Sequence, residues 1–347
     1  MNKRALLKIP LMKLMDLKID YAFKQLFGNE KNKEITVVFL NAILKRTGRD
    51  VVQDLTFQNV ELAGEYEEDK QSRLDLLVKT NNNEWINVEI QFTNQYDMVK
   101  RSIYYWSKVY TKPLKKKMAY KRLTPVIAIN IMNFDLFNET EQFHTTYHLY
   151  EDTEKTLLTD VMEFHFIEIP KLLRDWKEQK LDPWNDVLAR WLLLLGVVNH
   201  RKEKEIYEDI YKELEVIAMR DEQLFDALTQ WRELSLTDAQ YHAYEGRLKH
   251  ILDEEAAIEE AKMREQEAME KGIEIGREEG MEIGKEEGAT NALFETALQL
   301  LQNRFAAIPT EVVESIGRMN AENLQLLIIN STTFTSIEDV EQYLKSL

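Results

Sequence analysis

The chain has 347 residues, no cysteine, 44% hydrophobic residues and a formal net charge of −16. That hydrophobic share excludes general disorder, and the lack of cysteine excludes structural disulfides and thiolate-held zinc or iron–sulfur centres. The length accommodates two or three domains and at least one sizeable core.

Charge is unevenly placed. Residues 1–125 hold 23 Lys and Arg against 15 Asp and Glu, a net of +8; the remainder holds 22 against 46, a net of −24. Either the basic part meets a polyanion and the acidic part a protein, or the two parts offset each other. Met1–Leu17 carries Lys3, Arg4, Lys8 and Lys13 among short apolar runs, without the continuous apolar segment of a signal peptide. The longest apolar run, around Trp191–Val198, is far shorter than a bilayer requires. A soluble cytoplasmic protein with no membrane association is expected.

In chain order, Asp16–Phe27 predicts a helix with Ile19, Phe23, Leu26 and Phe27 on one apolar stripe and Gly28 as its stop. Asp20 and Lys24 lie four apart and share a face, as a surface ion pair or as the border of a site. Lys33–Arg46 predicts a second helix, closed by Thr47 and Gly48. Val51–Leu62 reads as β structure and is followed by an acidic loop, Glu65–Asp69.

The next stretch carries the most information. Arg73–Lys79 and Trp85–Gln91 both alternate polar and apolar residues, the period of half-buried strands. Arg73, Asp75 and Lys79 share one face with Leu77, while Leu74, Leu76 and Val78 share the other. Trp85, Asn87, Glu89 and Gln91 oppose Ile86, Val88, Ile90 and Phe92 in the same way. Asn81, Asn82 and Asn83 between them tolerate left-handed backbone and predict a turn. Folding about Asn82 pairs residues whose numbers sum to 164, which sets Asp75 opposite Glu89 and Arg73 opposite Gln91. Directly opposed carboxylates repel. The chain either tolerates a small cost there or presents two ligands to a cation.

Asn94–Met118 predicts a helix whose polar side carries Lys100, Arg101, Lys108, Lys112, Lys115, Lys116 and Lys117, interleaved with Tyr104, Tyr105, Trp106 and Tyr110. The basic residues are expected to contact phosphates, and the aromatics either to stack on bases or to pack inward. Pro125–Ile131 is a near-continuous apolar run and predicts a central strand covered on both faces. Phe143–Tyr150 and Met162–Ile169 predict two more strands, the latter ended by Pro170. Their histidines, His144, His148 and His165, are expected to be structural, because an i, i+4 pair on a strand is too far apart to share a metal.

From Lys171 to about Glu270 the sequence predicts helix throughout, with breaks at Asp182-Pro183 and His200-Arg201. Trp184, Val187, Leu188, Trp191, Leu192 and Leu195 mark one buried helix. Ile206, Ile210, Leu214 and Ile217 mark another. Residues 271–288 then repeat with a period of eight, with glycine at 272, 276, 280, 284 and 288. Glycine costs a helix about 0.8–1 kcal/mol per residue against alanine, so the segment is either a close contact between two helices or a pliable tether. With 14 acidic against 5 basic residues, 251–290 is expected to be a poor nucleic-acid binder. Residues 292–347 predict a small helical unit with capped starts at Thr310 and Ser336.

Asp75 and Glu89 on one strand pair, Gln91 two residues on and a basic helix following suit Mg²⁺, or another hard divalent cation such as Mn²⁺ or Ca²⁺. The spacing D-x₁₃-E-x-Q alone recurs by chance in unrelated chains. The ordered runs Asp20–Gly28, Arg73–Val78, Val88–Gln91, Arg101–Tyr105 and Pro125–Ile129 say more. Together, over roughly residues 14–200, they resemble the Rpn family of recombination-promoting nucleases and transposases, a branch of the PD-(D/E)xK superfamily. The Gly-Glu repeat and helical tail resemble extensions found on such proteins.

The resemblance implies an α/β (α+β) restriction-endonuclease-like fold, a mixed sheet flanked by helices, with an all-helical carboxyl-terminal half. It also implies metal-dependent cleavage of DNA, with a role in recombination or transposition inherited from the family. Asp75 matches the first metal carboxylate, Glu89 the second, the Ile90 carbonyl a further ligand, and Asp20 the acidic residue of the first helix. Gln91 departs from the superfamily pattern, which has lysine there. Glutamine occurs at this place within the Rpn family, but it brings no charge, and Lys24 and Lys79 are candidates to supply it. Arg73, Arg101, Lys108, Lys112, Lys115, Lys116 and Lys117 are expected to contact DNA.

The expected domains are a nuclease-like 14–170, a helical extension 171–250, a charged helix with the glycine repeat 251–290, and a terminal unit 291–347. A dimer through the helical half is expected. Two other functions fit the sequence: a catalytically inactive DNA-binding regulator on a nuclease fold, and an oligomeric scaffold.

Overall fold

The computed structural model describes every residue except 1–5, 7, 60, 63–71, 95–96, 114–118, 202–203, 306 and 347, and leaves out the side chains of Arg49, Glu61, Leu62, Ser72 and Arg73. The chain divides into two compact units, Met1–Ala256 and Ala257–Leu347.

The first unit begins with α1 (Asp20–Phe27) and α2 (Lys33–Leu44). Strands β1 (Leu55–Phe57), β2 (Glu61–Leu62), β3 (Ser72–Arg73), β4 (Leu76–Thr80) and β5 (Trp85–Gln91) follow. Helix α3 (Met98–Thr111) then crosses to β6 (Val126–Met132), β7 (His144–Tyr150) and β8 (Leu157–Glu168). Six strands form one mixed sheet in the order β1-β4-β5-β6-β8-β7, with β5, β6 and β8 parallel. The expected mixed sheet flanked by helices is present.

One face of the sheet, with Leu76, Val78, Ile86, Val88 and Ile129, packs in a core with Phe23, Phe27 and Phe39 of α1 and α2. The other, with Leu77, Ala128 and Phe166, packs against Tyr105, Trp106 and Val109 of α3. All of β6 is buried, as its unbroken apolar run requires.

Helices α4 (Ile169–Lys177), α5 (Val187–Gly196), α6 (Glu208–Ala218) and α7 (Glu222–Leu236) complete this unit with the start of α8 (Asp238–Arg304). The run from Lys171 is not helical throughout, because β9 (Val198–Asn199) and β10 (Glu205–Ile206) form a small antiparallel pair. Trp184 precedes α5 and is 40% exposed, so it does not mark that helix's buried face.

Helix α1 starts at Asp20, not Asp16. The preceding segment is held instead by a buried Lys18, whose Nζ lies 2.7 Å from Asp16 Oδ1 and donates to the carbonyls of Leu195 and Val198. Tyr244 of α8 closes the same region: its hydroxyl accepts from the Asp16 amide at 3.0 Å.

The second unit holds the rest of α8 with α9 (Thr310–Gly317), α10 (Ala321–Asn330) and α11 (Ile337–Ser346). Leu301, Ile316, Leu324, Leu327 and Val340 are in its core. Ser336 and Asp339 cap α11 reciprocally, at 3.3 and 3.0 Å. Thr310 is the first helical residue of α9 and makes no cap bond; Pro309 holds the cap position. The glycine repeat is helical, and a Cβ built at any of its five glycines meets nothing within 4 Å. Among the described residues, no helix is long and apolar enough to cross a membrane.

Candidate active site

The β4–β5 hairpin turns as its asparagines require. Asn83 has a φ of 65°, its amide donates to the Thr80 carbonyl at 3.0 Å, and the Thr80 amide donates to the Glu84 carbonyl at 2.9 Å. The ladder runs Lys79↔Trp85, Val78↔Ile86, Leu77↔Asn87 and Leu76↔Val88, all summing to 164 as expected.

The ladder stops one residue short of the carboxylates. Asp75 sits in a bend, and its Oδ2 accepts from the Ile90 amide at 2.9 Å. A carboxylate thus takes the bond that a strand carbonyl would otherwise accept. The Asp75 amide in turn donates to Glu89 Oε1 at 3.3 Å. The expected Arg73↔Gln91 pairing is therefore not made, and Arg73 pairs with Glu61 in a separate two-stranded sheet. The bend also shifts the alternation, so Leu74 packs in the α3-side core with Leu77 and not with Leu76 and Val78.

Helices α1, α3 and α8 converge on this bend. From α1, Lys24 Nζ lies 2.7 Å from Asp75 Oδ1 and 3.6 Å from Asp20 Oδ2. From α8, Arg247 Nε donates to Asp20 Oδ1 at 2.8 Å. From α3, Arg101 Nη1 donates to Gln91 Oε1 at 3.3 Å, and its Nη2 lies 3.8 Å from Glu89 Oε2. Asp20, Lys24, Asp75, Gln91, Arg101 and Arg247 line a cavity of about 460 Å³ that Ile90 also borders. Glu89 is 1% exposed and lies behind this wall, not on it.

Burial dominates the electrostatics. It pushes the Glu89 carboxyl up to about 8, helped by the neighbouring Asp75 charge and opposed by Arg101 and Lys24. Burial raises Asp75 as well, against the pull of Lys24. Glu89 Oε2 is buried without a hydrogen-bond partner. Such an atom is costly to bury, and a cation shared with Asp75 would remove the cost. The donor set fits a divalent metal: Asp75 on the cavity wall and Glu89 directly behind it, with one carboxyl oxygen that accepts no hydrogen bond. Among the described residues no three His, Asp or Glu side chains form a closed metal cage, and Asp20 is engaged by Arg247.

The remaining sequence-derived residues scatter. Lys79 stands over the Trp85 ring at 5.9 Å, at the turn end of the hairpin, and is not brought to the cavity. Lys108 stands over the Tyr104 ring at 5.6 Å on the outer side of α3, and Lys112 donates to the Asn59 carbonyl at 2.9 Å. The helix expected over Asn94–Met118 spans Met98–Thr111; Lys115, Lys116 and Lys117 lie outside the described residues, as does the side chain of Arg73. Arg247 has no signal in the sequence. It lies in a charged helix without a motif, and only the Asp20 contact singles it out.

No curated protein and no solved structure matches the chain. A family model described as PD-(D/E)XK nuclease family transposase matches residues 17–261, a span that takes in α1, the hairpin and Arg247, and the chain belongs to that family.

Proposed function

We propose that this protein is a Mg²⁺-dependent DNA endonuclease that hydrolyses phosphodiester bonds in the cytoplasm, as a cutting step in recombination or transposition. The observation that carries this reading is the buried Glu89 beside Asp75, with one carboxyl oxygen that accepts no hydrogen bond. Asp75, Glu89 and the Ile90 carbonyl would hold the cation, and Mn²⁺ or Ca²⁺ would compete for the same oxygens. Held there, such a cation would supply Lewis-acid polarisation of the phosphodiester and a lowered pKa for water.

The chain's own residues do the rest. Lys24 fixes Asp75 and brings a positive charge to the cavity, the charge that Gln91 lacks. Gln91 Oε1 already accepts from Arg101, so the side chain has N–H groups left to offer. That suits holding a phosphate oxygen and does not suit removing a proton from water. Asp20 and Arg247 brace Lys24 from behind. Lys108 and Lys112, with Lys115, Lys116, Lys117 and Arg73, would guide the DNA backbone along α3.

Self-association through α8 belongs to the same reading. Ile273, Ile275, Met281 and Ile283 are 60, 56, 53 and 56% exposed. The glycines among them leave open space for another backbone.

The test is nicking of supercoiled plasmid in Mg²⁺ by wild type, Asp75→Ala and Glu89→Ala, each shown to be folded by its melting transition. Both variants are expected to lose nicking. A clean Asp75→Ala preparation that cuts like wild type sinks the assignment.

A further inference from the structure

A second cavity, of about 190 Å³, lies where the end of β6 meets α4 and the β9–β10 region. Asn133, just beyond β6, forms its floor. The Asn133 amide donates to the Gln91 carbonyl at 2.9 Å, so one backbone hydrogen bond links a residue lining each cavity. Arg174 and Lys177 of α4, Asn199 of β9, Arg201 after β9 and Tyr207 at the start of α6 form the walls. Arg201 Nη1 donates to the Asn133 carbonyl at 3.2 Å, which ties this wall to the floor.

Charge sets this cavity apart. Arg174, Lys177 and Arg201 are all cationic, and among the described residues no carboxylate lines the cavity. They come from the part of the chain whose net charge is −24. Asp135 balances Arg174 at 2.9 Å, but among the described residues no carboxylate pairs with Lys177 or Arg201 in this way. Lys177 Nζ instead stands over the Tyr207 ring at 5.2 Å, while the Tyr207 hydroxyl is anchored on Glu205 at 2.9 Å.

The floor carries the second observation. Asn133 is 5% exposed, and its Nδ2 is buried without a hydrogen-bond partner. A buried N–H donor without a partner, on a residue that lines a cavity with three cations, calls for an acceptor that is itself anionic. An oxygen of a phosphate group meets that demand, and the arginine fork matches its geometry.

We propose that this cavity holds a phosphate of the DNA backbone flanking the one that is cut, and so fixes the position of the cut along the strand. The proposal rests on the endonuclease reading. Its chemistry, a phosphate group, is shared by a free anion, and the test separates the two sources.

The full-length protein is titrated with a labelled duplex in EDTA at several salt concentrations, as wild type and as Lys177→Ala/Arg201→Ala. The variant is expected to bind more weakly, with the slope of log K against log salt shallower by about 0.9 for each phosphate no longer neutralised. In Mg²⁺, its cuts on an end-labelled duplex spread over neighbouring positions. Arg201 also holds the Asn133 carbonyl, so Lys177→Gln, at an exposed position, serves as the second variant and should flatten the slope by about one.

Unchanged affinity and slope in well-folded variants overturn the proposal. So does stabilisation of the wild type alone by inorganic phosphate with DNA binding unaltered, which would make the cavity a free-anion site. A flattened slope in a protein that never cuts DNA keeps the phosphate subsite and removes the endonuclease reading instead.

Discussion

The carboxylates at the end of β5 and the histidines between β7 and β8 are held by one sheet, and both groups are titratable and largely buried. The histidines close their own bonds. His165 Nε2 lies 2.7 Å from Glu163 Oε1, and His165 Nδ1 lies 2.8 Å from His144 Nε2. A neutral pair of rings satisfies both contacts with one proton each. Burial pushes His144 down to about 3, with the His165 ring adding to it. Burial alone would raise Glu163, yet its bond to His165 keeps it below the usual carboxylate range. At β5 the bonds do not close: Glu89 Oε2 is unpaired, and the carboxyl is pushed up to about 8. A cluster that satisfies itself belongs to the fold. A cluster that leaves one buried carboxyl oxygen without a hydrogen bond beside a cavity is prepared for a ligand.

The sharpest way to break this contrast is to titrate stability without metal. Glu89 keeps its proton in the folded state up to about 8 but loses it near 4.5 once unfolded. The proton therefore favours the folded state below 4.5, and that contribution is lost as pH rises from 4.5 through 8. A gap of one pH unit between the two states corresponds to about 1.4 kcal/mol, so the decline should reach a few kcal/mol. In EDTA, the denaturant midpoint of Glu89→Gln should rise relative to that of wild type across this window, a difference from which contributions common to both proteins, such as that of His144, drop out. Parallel pH profiles in the two proteins would remove Glu89 as the cause.

Metal should reverse the effect. At pH 7 in weak buffer, adding Mg²⁺ should release up to about one proton per site from wild type and none from Glu89→Gln. Equal release from both would place the proton elsewhere.

The histidine side of the contrast is tested by His165→Ala. It leaves His144 and Glu163 without their partner and should cost about 1–3 kcal/mol of unfolding free energy. DNA cleavage by the folded fraction should keep its rate and pH profile. A loss of cleavage in a stable His165→Ala protein would move these residues from the fold to the chemistry.

The smallest effect is expected in α8. Gly276→Ala and Gly280→Ala should each favour the helix by about 0.8–1 kcal/mol. They should nevertheless weaken the dimer by light scattering if a second helix lies against the glycines. Because 251–290 is acidic, the dimer should tighten with salt as like charges are screened. Monomers at every salt concentration would leave the glycines without this explanation.

The legible and illegible parts of the molecule divide by range. The hairpin register is readable because two alternating runs and one asparagine turn specify it locally. The buried β6 is readable from its near-continuous apolar run. The bend at Asp75 is not, since an alternating pattern does not show a side chain taking over a backbone hydrogen bond. The β9–β10 pair has strands of two residues, too short for any period to register. Arg247 and Asn133 are illegible for another reason. Neither carries a local signal, and each acquires meaning only from a neighbour distant in the chain.

The contacts of α8 with α1 and the segment before it set an order on synthesis. Arg247 meets Asp20 across 227 residues, and Tyr244 meets Asp16 across 228. A ribosome that has made α1, the hairpin and the whole sheet has still made neither side chain. The nascent chain can assemble its sheet early, but the brace behind Lys24 arrives only when α8 emerges. The last part of this site to be completed is the part nearest its first helix.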